Sequence, residues 1–189
     1  MSTIETKTLQ LFVTRGVIAI AWATVFAAAS DSLTVGAGVL LVLYPLIDVV
    51  ASLIDARTQR GSARRVLLAG AATSAVAAIA LGIAATGSAA NVFAVFGVWA
   101  VLSGAAQLVV GLRRRAQLGK QWPMLLAGGG SVIIGLAFLI ASTMANPMLS
   151  MLAIYAATGG IDFLIEAGLL ARRRRRVAGS TTTPVISAS

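Results

Sequence analysis

Four ionisable residues stand where an otherwise apolar chain could do chemistry. Arg15, Asp48, Asp162 and Glu166 lie inside or at the edge of long hydrocarbon-rich runs. Asp162 and Glu166 are one helical turn apart and share a helix face. A charge at mid-bilayer costs about 2.5–3.5 kcal/mol on insertion scales, so such groups face protein rather than lipid. The planar guanidinium of arginine can hold two carboxylate oxygens at once. Arg15 is therefore predicted to pair with Asp48 or with the Asp162/Glu166 pair, in a polar cluster inside the protein. One cation cannot neutralise three acids. At least one carboxylate is then expected to carry a proton, the neutral form being the cheaper one in lipid. Such a cluster either fixes helix register or handles protons.

The elements that must position these groups follow from composition. The chain has 189 residues, 58% hydrophobic and 11% charged, with mean hydropathy +0.92. A soluble domain carries about 25% charged residues, so this chain is suited to lipid rather than water. Six runs have the roughly 20 apolar residues that a membrane-crossing helix needs. They cover residues 9–29, 33–55, 66–86, 91–112, 124–143 and 147–171. Lipid offers the backbone no hydrogen-bond partner, so each run is predicted to be a helix. The fold class is accordingly an all-α membrane protein of six transmembrane helices. Counted at ~1.5 Å per residue from the nearest basic connector, Asp48 lies ~13 Å deep, Glu166 ~9 Å and Asp162 ~15 Å. All the intramembrane charges share one half of the bilayer.

Basic residues mark that half. Arg57, Arg60, Arg64 and Arg65 follow the second run, Arg113 to Arg115 and Lys120 the fourth, and Arg172 to Arg176 the sixth. Of the 15 basic residues, all but Arg15 fall outside the spans on that side, and the other connectors have none. By the positive-inside rule both termini are cytoplasmic. Topology thus accounts for the net charge of +9, and no nucleic-acid partner is expected. The arginines should instead meet anionic lipid headgroups. A short polar N-terminus, residues 1–8, precedes the six-helix domain at 9–171. A basic, then disordered, cytoplasmic tail follows at 172–189.

The runs form three hairpins, at about 9–57, 66–113 and 124–172. Tyr44, Trp99 and Tyr155 open the second helices about 55 residues apart, and Asp48-Val49, Ser103-Gly104 and Gly159-Gly160 fall at matching places. Gly16, Gly70 and Gly128 align in the first helices. Every hairpin starts and ends on the same side, so the units are parallel. They are predicted to form a bundle with pseudo-threefold symmetry. Small residues must supply close packing where lipid removes the hydrophobic force between helices. Stripes at spacing four offer it: Ala19, Ala23 and Ala27; Gly70, Ser74, Ala78 and Gly82; Ala127, Ser131 and Gly135. The first helices are expected to approach each other or their partners there. The same faces could receive a second copy of the chain or another membrane protein. Pro45 should kink the second helix. Trp122 has the setting of an interfacial anchor. The stretch Phe26 to Ser30, FAAAS, could pass for a signal-peptidase site. The match of the first run to its counterparts favours a retained helix.

Several activities are excluded by what is missing. With no Cys and no His, there is no thiolate, no imidazole base and no usual zinc or haem ligand. GxSxG, HExxH, an intact GxGxxG and the P-loop are absent, so no enzyme, metal or cofactor is expected. The helix-pair unit, with Arg15-Gly16 in its first helix and Tyr44 to Asp48-Val49 in its second, resembles the HdeD-like membrane proteins. The resemblance covers residues 9–171. It implies a bacterial inner-membrane location, a short hairpin-repeat architecture and a link to acid resistance. It supplies no catalytic residue. The expected function is non-enzymatic, aiding tolerance of acid or envelope stress. A small proton-coupled transporter or channel, and an assembly partner in a membrane complex, are the alternatives.

Overall fold

Runs of Ala, Leu, Val and Ile broken only by short polar connectors leave the backbone one economical way to satisfy its own hydrogen bonds. In the computed structural model, which describes residues 3–57, 59–118 and 122–180, the chain forms six helices and no strand among those residues. They are α1 (Thr3–Ala29), α2 (Val35–Ala56), α3 (Gly61–Ala84), α4 (Ala89–Leu118), α5 (Trp122–Ala141) and α6 (Ser150–Ser180). Thr34 caps α2 by accepting the Ala37 N–H at 3.2 Å, and Ser88 accepts from Asn91 at 3.3 Å to start α4. Gly61, at φ 62°, takes the left-handed turn that lets the chain enter α3 without a Cβ clash.

Five of the helices are long and apolar enough to cross a membrane, while α5 offers the shorter apolar stretch Leu125–Ala141. The fifth predicted span, 124–143, ends early because α5 gives way at residue 142 to turns and bends. Helical structure also reaches beyond the spans. The N-terminal segment is helical from Thr3, and α6 carries the arginine run on to Ser180, so neither forms a separate unstructured piece there. The predicted disordered tail beyond residue 180 lies outside the described residues. Pro45 is buried within α2, which runs unbroken from Val35 to Ala56. Phe26, in the FAAAS stretch, is fully buried and stacks on Trp22, with ring centroids 4.7 Å apart.

Each helix packs on its chain neighbours, and α6 returns to α1, so the six close into a ring. The closest approaches are α4 on α5, α1 on α6 and α2 on α3. Each of these pairs joins one predicted hairpin to the next. The first helices α1, α3 and α5 do not touch one another, contrary to one branch of the expectation. Glycines explain two of these pairings, α1 on α6 and α4 on α5. A Cβ on Gly16 would lie 2.8 Å from the Gly160 carbonyl oxygen, and one on Gly104 would lie 2.6 Å from that of Gly128. Gly97 and Gly135 meet in the same way, at 2.8 Å each way. Only glycine lets these backbones come so near.

Burial is the reverse of a soluble bundle. Small residues and aromatic rings fill the interior, while large aliphatic side chains point outward on all six helices. Ile133 is 69% exposed and Ile83 70%. On α5, Leu126, Ile133 and Ile140 recur at spacing seven along one bare face. Such an outer surface is stable only against hydrocarbon.

Candidate functional site

The inner stripe of α1 follows its small residues. Ala19 and Ala23 are buried, and Arg15 lies one turn before Ala19 on the same side. That placement aims the guanidinium across to α2, where it donates to Asp48 Oδ1 and forms an ion pair. The Arg15 side chain is 16% exposed and that of Asp48 27%, so both are largely withdrawn. The other carboxylate oxygen, Oδ2, accepts from the Ser74 hydroxyl of α3 at 2.7 Å. Ser74, itself only 1% exposed, accepts in turn from Trp99 Nε1 of α4 at 3.0 Å. The guanidinium carbon of Arg15 also sits 4.7 Å from the centre of the Phe163 ring on α6, a cation–π contact.

One polar chain therefore runs Trp99, Ser74, Asp48, Arg15, Phe163, and touches five helices. A separate bond between Ser131 of α5 and the Tyr155 hydroxyl of α6, 3.2 Å long, brings in the last. Its logic is electrostatic. A carboxylate in hydrocarbon is tolerable when a cation and a neutral donor each occupy one of its oxygens.

Aromatic rings wall this chain off in the middle of the bundle. Tyr44 and Trp99 meet edge-on at 5.6 Å, and Phe96 lies 5.5 Å from Tyr155 and 6.0 Å from Tyr44. The three aromatic residues that open the second helices thus converge, Tyr155 by way of Phe96. Trp22 packs at a tilt against Tyr44, ring centroids 4.4 Å apart, and donates its own N–H to the Leu40 carbonyl at 2.7 Å. That carbonyl lies one turn before Tyr44, so the indole ties α1 to the α2 backbone just ahead of Pro45.

Not every residue singled out in the sequence joins the site. Asp162, half-buried on α6, makes no ion pair among the described residues; Arg15 is taken by Asp48. Glu166 is half-buried one turn further along α6. The packing stripes hold along most of their length and fail at one end on α1 and at one end on α3. Ser74, Ala78, Ala19, Ala23 and Gly135 are buried, and Gly82 faces Val42 at 3.4 Å. Ser131 lies against Gly104, its Cβ 2.8 Å from where a Gly104 Cβ would be. Gly70 instead faces open space, and Ala27 is exposed. A spacing of four overshoots a 3.6-residue turn by ~40° at each step, so a stripe's ends leave the face its middle occupies. The Ser74–Trp99 link was not anticipated. Its only sequence signal is a hydroxyl among the small residues of α3 and an aromatic with a polar edge on the next helix.

No protein-family model, curated protein or solved structure matches the chain. Fold and site together define an all-helical protein with the make-up of an integral membrane protein, with a partly buried ion pair between its first two helices.

Proposed function

We propose that the chain crosses the bacterial cytoplasmic membrane six times, as three parallel hairpin repeats with both termini inside. We further propose that it is non-enzymatic and of the HdeD-like type, contributing to tolerance of acid or envelope stress. One observation carries the reading: the Arg15–Asp48 pair is tied through Ser74, Trp99 and Phe163 to five helices, behind aromatic rings, with aliphatic side chains outward. That arrangement makes a rigid, lipid-embedded body. It offers no open polar cleft in which a paired-carboxylate reaction could run. On α5, the bare stripe of Leu126, Ile133 and Ile140 favours counting this shorter helix as a sixth span.

Reporter fusions after Arg60 and Arg114 should both read cytoplasmic, and a periplasmic signal at either would remove the topology. Survival of a deletion strain after acid challenge should fall and recover with the wild-type gene. Unchanged survival across pH would remove the stress role and leave the topology standing.

A second reading, a proton-coupled transporter or channel, is favoured by the position of Asp162, deep in α6 and outside the ion pair. Proton flux into liposomes should then differ between wild type and the Asp162→Asn/Glu166→Gln variant. Equal flux would remove this reading.

A further inference from the structure

A groove of about 600 Å³ runs along the outer face between α3 and α4. Its walls are Ala72, Val76 and Ala80 on α3, and Val98, Trp99 and Leu102 on α4. The small residues make it concave, and the valine and leucine flanks make its surface hydrocarbon. The polar atoms near it are already engaged: Thr73 donates to the Ala69 carbonyl at 3.0 Å, and the Trp99 N–H goes inward to Ser74. Nothing in the groove asks for a hydrogen bond, so its occupant is an apolar chain.

Charge at one end says which chain. Arg65 is exposed on α3 and precedes Ala72 and Val76 by seven and eleven residues, spacings that return to the same helix face. It stands ~10 Å from the mouth of the groove along the helix. The groove continues ~12 Å further, from Ala72 to Ala80. An anionic headgroup with an acyl chain beneath it has this layout: charge first, then a slot of hydrocarbon. A second, smaller groove, between α2 and α3 around Leu33, Val39 and Thr86, lies at the opposite end of α3 from Arg65; neither groove has a basic residue in its own lining.

We infer that the α3–α4 groove is a binding site for one anionic phospholipid of the surrounding bilayer, its headgroup on Arg65 and an acyl chain against Trp99. This rests on the membrane reading above. It also ties the lipid to the polar chain, because Trp99 is both a groove wall and the last donor of the Trp99–Ser74–Asp48–Arg15 series.

Trp99 can report its own neighbour. Replacing Trp22 and Trp122 by Phe leaves it the only tryptophan of the three. The protein is reconstituted into vesicles of phosphatidylcholine containing either brominated phosphatidylglycerol or brominated phosphatidylcholine, and quenching is followed against mole fraction. Half-maximal quenching should need about fivefold less of the anionic lipid, the worth of one arginine near the membrane surface. Arg65→Gln should abolish that preference and leave quenching by phosphatidylcholine in place. Ala80→Phe, which fills the slot, should weaken quenching by both. Equal quenching by the two lipids overturns the inference, and so does a preference that survives Arg65→Gln. Should the Trp22→Phe variant not fold, native mass spectrometry of the wild-type protein gives the same answer. One phosphatidylglycerol should be retained, and lost in Arg65→Gln; retention equal in both overturns it. Failure of the membrane reading is distinguishable, since the protein would then be washed from the vesicles before any quenching is measured.

Discussion

Breaking the ion pair from one side should cost far more than removing it whole. Among the described residues, Arg15→Met leaves the Asp48 carboxylate the Ser74 hydroxyl, and Asp48→Leu leaves the guanidinium the Phe163 ring. Losing one member of a buried pair costs about 3–5 kcal/mol, because the survivor stays desolvated without its counter-charge. With 16% and 27% of the two side chains exposed, the lower end applies, about 3 kcal/mol for each variant. In the double variant both desolvation penalties vanish together. Apolar replacements of similar volume are then often neutral, so the double should lose about 1 kcal/mol or less. Independent effects would instead sum to about 6 kcal/mol. Unfolding in mixed micelles of increasing dodecyl sulfate, followed by circular dichroism, measures all four proteins. A double variant as damaged as the two singles added would refute the reasoning. It would mean that the guanidinium and carboxylate are each satisfied elsewhere.

Four further outcomes are expected. Ser74→Ala strands the Trp99 N–H and one oxygen of Asp48, and should destabilise by about 1–3 kcal/mol; adding Trp99→Phe should make matters no worse as judged by polar pairing, and the same micelle titration checks both. Gly104→Ala places a methyl 2.6 Å from a backbone oxygen that cannot rotate away, so α4 and α5 must part at a cost of about 1–3 kcal/mol. Gly129→Ala, next to that contact but facing open space, should be neutral or up to about 1 kcal/mol stabilising. Tyr155→Phe should lose the Ser131 bond for about 0.5–1.5 kcal/mol and leave the Arg15–Asp48 coupling energy unchanged.

The helices were legible because lipid imposes a length and a composition that few sequences meet by accident. Their ends were less so. Arg64 and Arg65 lie in the predicted connector, yet α3 already starts at Gly61, because arginines extend a helix as readily as they flank one. The depth of Asp48 and the inward stripe of α1 placed Arg15 within reach of a carboxylate. Which carboxylate depends on the packing of α1 against α2 and α6, and no one-dimensional spacing encodes it. In the fold Asp48 also accepts from the Ser74 hydroxyl, so both of its oxygens are satisfied.

The glycine contacts show why the polar chain sits where it does. When the hairpins are aligned as proposed repeats, Gly16 meets Gly160 and Gly128 meets Gly104, at equivalent positions on two of the three inter-hairpin seams. The third seam, α2 on α3, would pair Val49 with Gly70, and there Gly70 has no neighbour within 4 Å. Valine blocks the backbone approach that glycine allows. One residue before it stands Asp48, and one turn after Gly70 stands Ser74, and these two are hydrogen-bonded at 2.7 Å. The seam that lacks a glycine crossing at this level is thus the one that carries the carboxylate–hydroxyl bond. An acid placed there needs a counter-charge, and the first helix of the same hairpin supplies Arg15. Ala69 and Ala127 occupy the corresponding positions of the other hairpins, whose second helices carry Gly104 and Gly160 and no acid at this level. Val49→Gly should therefore relax the dependence on the polar bond. The loss caused by Ser74→Ala should shrink in a Val49→Gly background, and an undiminished loss would separate the two features.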